Sequence, residues 1–555
     1  MLADPQLLTT AAADAHRINT ALGQARAAAA GPTTSVAAAA ADEISAAAAQ
    51  VFGAYGAQYQ GLLAQASAFH EQFTAALAAA AVAYSGAEAA AANALRLGGS
   101  PVPAAENVAI ALIMGPSGTP TPSMKYLGNA YDKYISRTFT TVDRQALSTP
   151  EGLYPITGTK SEPLNISVNQ GITILNNAIT QQISNSNTPV VVFGYSQSSI
   201  ISSLELSQLQ ASGVPRNDVS FVLVGNEMNH NGGILARFPG LNFTSLGLPF
   251  YGGMPTNTGY AVYNYTLEYD GFADFPRYPI DVFADLNAVA GIALVHTTYL
   301  GIPPSQIDSA IVLPTSPGYD GGSTFYMIPT KNLPLLAPLR LIPYIGNPLA
   351  DLIQPDLRYL VNWGYGNPDY GWSTSYADIS TPFGLVPPLS ATTALPGDLV
   401  SGAQQGVLAA LNDFHTEGLP SLPLHSLATL PNTITSTMQS FSNPLAPSSI
   451  INSINLFEQA NTDVAGGFSY ALSSAYSTLL PTADIANAVV TSLPSYDVNL
   501  FLDGINQAIT GQPVQGIINA IGDPIAADVG ILTLAGGVEL AVVGLGLEGI
   551  LSVVP

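Results

Sequence analysis

Gly194-Tyr195-Ser196-Gln197-Ser198 follows the apolar run Val190–Phe193 directly and precedes a run with helical spacing, Ile200–Leu209. A serine held on a strand-to-helix turn projects its hydroxyl from the end of a sheet, where it can attack a carbonyl carbon. Such a turn is tight and wants small neighbours. Gly194 supplies one, and Ser198 stands where a second glycine is usual. The backbone N–H of Gln197, at the start of the helix, is placed to donate to the oxyanion that forms on attack. Ser196 is therefore the candidate nucleophile. A serine hydroxyl is weak at its free pKa, so it needs a base, and the base needs a carboxylate to orient it.

On a sheet of this kind the chain order is serine, then acid, then histidine. His296 sits in Ile292–Tyr299, while His415 and His425 fall in a proline-rich stretch; His230 precedes the strand-end acids and reads as a loop residue. His296 is the candidate base. For the acid, the strand-like run Ala261–Tyr269 leads into Asp270-Gly271-Phe272-Ala273-Asp274-Phe275-Pro276. Either aspartate fits. Asp274 is preferred, because a residue a few positions past the strand can reach over to the histidine, which leaves Asp270 as a turn-capping acid. Asp281 and Asp285 lie in a helix-like run and read as solvated. A second oxyanion donor is expected from the loop Gly115–Thr119, with Ser117 as candidate; a plain Gly-Pro turn is the competing reading.

These residues need a frame. Val108–Met114, Pro189–Phe193, Val219–Val224 and Ala261–Tyr269 read as strands, and Ile172–Ile183 and Ile200–Leu209 as helices. Strands alternating with helices predict a mostly parallel sheet covered on both faces, an α/β-hydrolase fold over residues 108–374. Residues 1–97 are Ala-rich and broken only at Gly31-Pro32-Thr33-Thr34, which predicts a helical hairpin. Its second helix carries Val51, Phe52, Tyr55, Tyr59, Leu62, Leu63, Phe69 and Phe73 at steps mostly of three, four and seven. That apolar stripe calls for either a partner helix or the rest of the chain to cover it. Residues 98–107 read as a linker. Residues 375–555 are rich in Pro, Ser, Leu and Ala and read as short helices separated by prolines, with no chemistry-bearing motif.

Composition narrows the function classes. The chain has 555 residues, long enough for two or three domains, with 47% apolar and only 9% charged residues. Its net charge of −23 arises from a shortage of Lys and Arg, 14 in all, which argues against nucleic acid and against attraction to an anionic membrane. There is no cysteine, so disulfides, thiolate catalysis and Cys-ligated metals are excluded. No cofactor or metal is expected. The N-terminus lacks the pattern of a secretory signal peptide. No membrane span stands out, and the tail Ala526–Pro555, interrupted by Asp528, Glu539 and Glu548, reads as a buried or surface-associating segment.

Two resemblances sharpen this reading. Ala41–Ala46 (ADEISA), Val51–Tyr55 (VFGAY) and Gln65–Phe73 (QASAFHEQF) resemble the PE domain of mycobacterial PE/PPE proteins, although the name-giving Pro-Glu is Pro5-Gln6 here. Tyr84-Ser85-Gly86-Ala87-Glu88 matches that family's YxxxD/E signal, with Tyr84 and Glu88 as its fixed residues. The resemblance implies type VII export to the envelope, surface or medium, and a PPE-type protein or secretion chaperone docked on the hairpin. From about residue 108 to 370, Gly194–Ser198, Asn231–Phe238, Tyr269–Pro276, Ala288–His296 and Trp363–Pro368 resemble the PE-PPE domain, a cutinase-related serine α/β-hydrolase. Gly225-Asn226-Glu227-Met228-Asn229 departs from the Gly-Asp-Pro turn common in that family. This resemblance implies esterase- or lipase-like hydrolysis of acyl esters. The alternatives are acyl transfer to a sugar or lipid hydroxyl by the same triad, and a surface interaction protein with a non-catalytic hydrolase fold.

Overall fold

A computed structural model of the chain describes residues 109–139, 142–186, 188–343, 345–417 and 447–551, with a few scattered positions among the first hundred. The chain divides into two units, Met1–Glu106 and Asn107–Pro555. The expected hairpin, its apolar stripe, the linker, Tyr84 and Glu88 lie outside the described residues. The elements that carry the candidate site all belong to the second unit.

The run Val190–Tyr195 is buried along its whole length, as only a strand with both faces covered can be. Among the described residues it is the third of seven strands of the main sheet, a separate two-stranded ribbon (Asn242–Phe243 with Leu248–Pro249) aside: β1 (Ala109–Ile113), β2 (Val142–Ala146), β3 (Val190–Tyr195), β4 (Val219–Val224), β5 (Ala261–Leu267), β6 (Ile311–Val312) and β7 (Ser323–Ile328). Their order is β2-β1-β3-β4-β5-β7-β6, parallel throughout except for the antiparallel edge strand β6. The expected parallel sheet is therefore present. Strands β2, β6 and β7 were not expected from the sequence. Val142–Ala146 (VDRQA) is polar because it is an edge strand, and β6 is two residues long.

Alternate residues of the central strands feed two apolar layers, as period-two geometry requires. Val190, Val192, Phe221 and Leu223 join one cluster with Leu175 and Ile179 of α2 (Leu164–Ser186) and Ile201 and Leu209 of α3 (Gln197–Ala211). Val191, Phe193, Val222 and Val224 join another with Leu127 and Ala130 of α1 (Met124–Lys133) and with Tyr299. Each fully buried aliphatic or aromatic side chain stabilises by about 1.5–3 kcal/mol. Both layers together fix the ends of β3, β4 and β5, from which the candidate site is built.

The C-terminal part corrects the expectation of short helices. After α4 (Val282–Leu294) and α5 (Gly346–Trp363) come α6 (Leu389–Glu417), α7 (Pro447–Asn487), α8 (Leu493–Ile509) and α9 (Pro513–Leu551), with 29, 41, 17 and 39 residues. Pro396, Pro481 and Pro524 lie inside these helices. An internal proline costs a helix about 3 kcal/mol, which tertiary burial can offset. Ile485, Leu493, Tyr496, Ala527, Ile531 and Leu534 are buried in the same cluster as α2 and α3. The Tyr154 hydroxyl donates to Asp484 Oδ2 at 2.6 Å, a further tie between α7 and the body. The segment Pro513–Glu548, where no span was expected, is by length and composition apolar enough to cross a membrane; 28% of its most apolar window is buried here.

Candidate active site

Ser196 occupies the turn between β3 and α3 with φ 57° and ψ −125°. This left-handed backbone costs a non-glycine residue roughly 1–2 kcal/mol, and the packed strand and helix on either side enforce it. Gly194 is required by space: a Cβ there would fall 2.7 Å from the carbonyl oxygen of Ser198. The structure also explains how Ser198 replaces a glycine. Its hydroxyl accepts from Tyr195 N at 2.8 Å and donates to the Tyr195 carbonyl oxygen at 3.0 Å, so the extra side chain ties the turn together.

His296 begins a short 3-10 turn after α4. Its Nε2 lies 2.8 Å from Ser196 Oγ, and its Nδ1 lies 2.9 Å from both carboxylate oxygens of Asp270. Asp270 is held in turn by the Tyr299 hydroxyl at 2.7 Å and by Phe272 N and Ala273 N at 3.0 and 3.3 Å. The sequence thus anticipated Ser196 and His296 in this chain of contacts but favoured the wrong aspartate as their neighbour. Asp274 is buried one turn further on. Its Oδ2 accepts from Tyr269 N at 3.1 Å, and it feels the charge of buried Arg237. The reason is local. Tyr269 adopts φ 66°, and Asp270 then closes an Asx turn on Phe272 and Ala273, which carries residue 274 away from the histidine. Reach counted along an extended chain does not include this reversal. Asp281 and Asp285 are buried rather than solvated, and Asp281 caps α4 through Phe283 N and Ala284 N. His230 is indeed a loop residue, its Nε2 bonded to the Met254 carbonyl oxygen.

Burial alone would lower the His296 pKa. The Asp270 charge and hydrogen bond, with the Glu227 charge, outweigh it and hold the imidazole above its usual 6.5. With Nδ1–H turned to Asp270, Nε2 is free to accept the serine proton.

Gln197 starts α3, where first-turn amides have no helical partner. Its side chain is committed, donating to the Gly152 carbonyl oxygen at 2.7 Å and to Ser117 Oγ at 3.3 Å, and accepting from Ser167 at 2.8 Å. Ser117 and Gln197 are therefore brought together, and both line one cavity. Its other walls are almost wholly apolar: Leu153 and Ile156, Ile200 of α3, Phe243 and Phe250, and Phe272. Ile485 of α7, Ala488 and Val489 of the following π-helical turn, and Leu534, Ala535 and Val538 of α9 complete it. The C-terminal helices, unreadable from sequence, form part of the wall.

One residue at the nucleophile was not anticipated from sequence. Glu227, in the turn after β4, is buried with Oε1 2.9 Å from Ser196 Oγ. Burial pushes its carboxyl up to about 7, against the opposing pull of His296 and of the hydrogen bond from Ser196. Its only sequence signal is an acid just past a central strand, within the turn that departs from the family pattern.

Family comparison matches residues 1–91 to the PE family and residues 140–366 to the PE-PPE domain. Three relatives from Mycobacterium tuberculosis are similar over most of the chain. Uncharacterized PPE family protein PPE28 is 46% identical over 78% of this chain, which spans 65% of that protein, just under two thirds. Esterase PE16 is 42% identical over 74% of this chain and 77% of its own length. PE family protein PE3 is 42% identical over 78% of this chain and 91% of its own length. The chain therefore belongs to the PE family and carries a PE-PPE domain on its mostly parallel α/β sheet.

Proposed function

We propose that this chain is a serine hydrolase of acyl esters, acting through Ser196, His296 and Asp270. Ser196 Oγ attacks the ester carbonyl carbon while His296 Nε2 takes its proton. Asp270 holds the Nδ1–H tautomer and stabilises the imidazolium. The Gln197 amide and Ser117 are assigned to the developing oxyanion; a single such donor is typically worth 10²–10³ in turnover, roughly 2.7–4 kcal/mol. His296 returns the proton to the leaving alcohol, and water then resolves the acyl-enzyme. The acyl chain lies in the apolar cavity, which offers it no polar partner beyond the carbonyl end.

The observation that carries this reading is the unbroken hydrogen-bonded line Asp270–His296–Ser196 at 2.9 and 2.8 Å, ending on a strained serine whose neighbours Gln197 and Glu227 line that cavity. Similarity to a protein named as an esterase supports it. Type VII export carried by Tyr84 and Glu88, and a PPE-type or chaperone partner for the first unit, are proposed with it from the sequence. The test is the full chain and its Ser196→Ala variant on p-nitrophenyl esters of increasing chain length. Turnover is expected in the wild type and not in the variant. Folded wild-type protein without turnover would favour an acyltransferase requiring another acceptor, or a non-catalytic surface protein.

A further inference from the structure

Ser196 Oγ has two hydrogen-bonding neighbours, His296 Nε2 at 2.8 Å and Glu227 Oε1 at 2.9 Å, but only one proton to give. The proposed triad uses the first contact and leaves the second unexplained. Glu227 is not a loose side chain that wandered in. Its carbonyl oxygen accepts from Leu235 N at 3.0 Å, and a Cβ on Gly233 would fall 2.3 Å from that oxygen, so its backbone is locked in place. Its second oxygen, Oε2, is buried and has no hydrogen-bond partner among the described residues. A buried carboxylate oxygen without a partner is costly, and beside a nucleophile it is able to accept from a donor that enters the site.

The surrounding wall shows why Glu227 is suited to that donor. Among the polar side chains lining the cavity, Gln197 is committed to Gly152 and Ser167, and the Tyr154 hydroxyl to Asp484. Once Ser196 is acylated it has no proton left, and Glu227 Oε1 loses its donor as well. The acyl-enzyme then presents a carboxylate and His296 Nε2 to the same small volume, next to the ester carbonyl.

Building on the triad reading, we propose that Glu227 is a catalytic residue that holds the attacking water of deacylation between its carboxylate and His296. One water O–H points to Glu227 and the other to His296 Nε2. As the water oxygen bonds to the acyl carbon, the second proton passes to Nε2. The acyl–Oγ bond breaks, and that proton moves on to Ser196 Oγ. The O–H facing Glu227 stays with the product acid, so Glu227 gains and loses no proton. Water, with two hydrogens, satisfies both groups at once; a monohydric alcohol has one and can satisfy only His296.

The test compares the full-length wild type with Glu227→Gln and Glu227→Leu on a p-nitrophenyl ester by stopped flow. The variants are expected to show a burst of about one equivalent of p-nitrophenol, followed by steady turnover lowered about 10–100-fold, at or below the roughly 10²-fold floor for a group that itself transfers a proton, because Glu227 only holds the water. With methanol added, the variants should also give a larger share of methyl ester than the wild type. Unchanged turnover, or first-turnover and steady rates lowered by the same factor, would overturn the proposal. Labelling of Ser196 by a fluorophosphonate keeps the two readings apart. If wild type labels but the burst is absent from the variants, the Glu227 role alone fails; if wild type does not label, the triad reading fails first.

Discussion

Replacing Asp270 by Asn is the sharpest perturbation of the assigned triad. Both Asp270 oxygens lie 2.9 Å from His296 Nδ1, and Tyr299, Phe272 and Ala273 hold the group in place. An asparagine can keep the bonds from Phe272 N and Ala273 N on its one oxygen, while its NH₂ takes the place of Oδ2, gives up the bond from the Tyr299 hydroxyl and faces Nδ1. Nδ1 must then accept, which moves the imidazole proton to Nε2, where it can no longer take the proton of Ser196. A wrong tautomer with intact geometry lowers turnover about 10⁴-fold in triads of this kind, equivalent to about 5.5 kcal/mol of barrier. Asp274→Asn is the internal control. Asp274 bonds to Tyr269 N, and burial pushes its carboxyl pKa well above the usual range, against the Tyr269 hydrogen bond and the Arg237 charge. Its loss should alter stability while leaving kcat per folded active site within about tenfold. The assay is p-nitrophenyl ester hydrolysis normalised by active-site titration, with circular dichroism to confirm folding. Asp270→Asn within tenfold of wild type, or Asp274→Asn falling as far, would refute the assignment.

The geometry also sets a pH profile and a chain-length profile. His296 must be neutral to act as base, and its pKa lies above 6.5 because Asp270 and Glu227 outweigh burial, with Tyr195 and Tyr299 as its other titratable neighbours. The acid limb of kcat/KM should therefore have its midpoint above pH 6.5, with activity rising as pH rises through it; a midpoint below 6 would contradict the ion-pair geometry. Ala535 of α9 lines the cavity far along the chain from the triad, so Ala535→Phe should lower turnover of long-chain p-nitrophenyl esters at least tenfold and leave the butyrate ester within about twofold. An unchanged chain-length profile would remove the C-terminal helices from the acyl site.

How much of the molecule was legible in its sequence depends on how local each cause is. The elbow at Ser196 was readable because an all-apolar strand, a small residue and a helix succeed one another within a few residues. His296 was readable because chain order leaves few histidines to choose from. The choice between Asp270 and Asp274 turned on one left-handed tyrosine, and nothing in the side chain of Tyr269 announces φ 66°. Glu227 reads as an ordinary turn acid until β4 places it 2.9 Å from Ser196. The long helices α6, α7 and α9 were hidden by their prolines, since the packing of α6 on α5, and the burial of α7 and α9 residues in the cluster shared with α2 and α3, are tertiary facts that local propensity does not carry. Asp281 looked solvated because its helix-capping role depends on where α4 begins.

The most direct test of the central claim is to trap the acyl-enzyme. Full-length protein treated with a fluorophosphonate bearing an alkyl chain would be digested and its modified peptide sequenced by mass spectrometry. A single adduct on Ser196, abolished by Ser196→Ala and slowed by Asp270→Asn, is the predicted result. An adduct on another serine, or none on folded protein that still hydrolyses esters, would contradict the assignment of Ser196 as nucleophile.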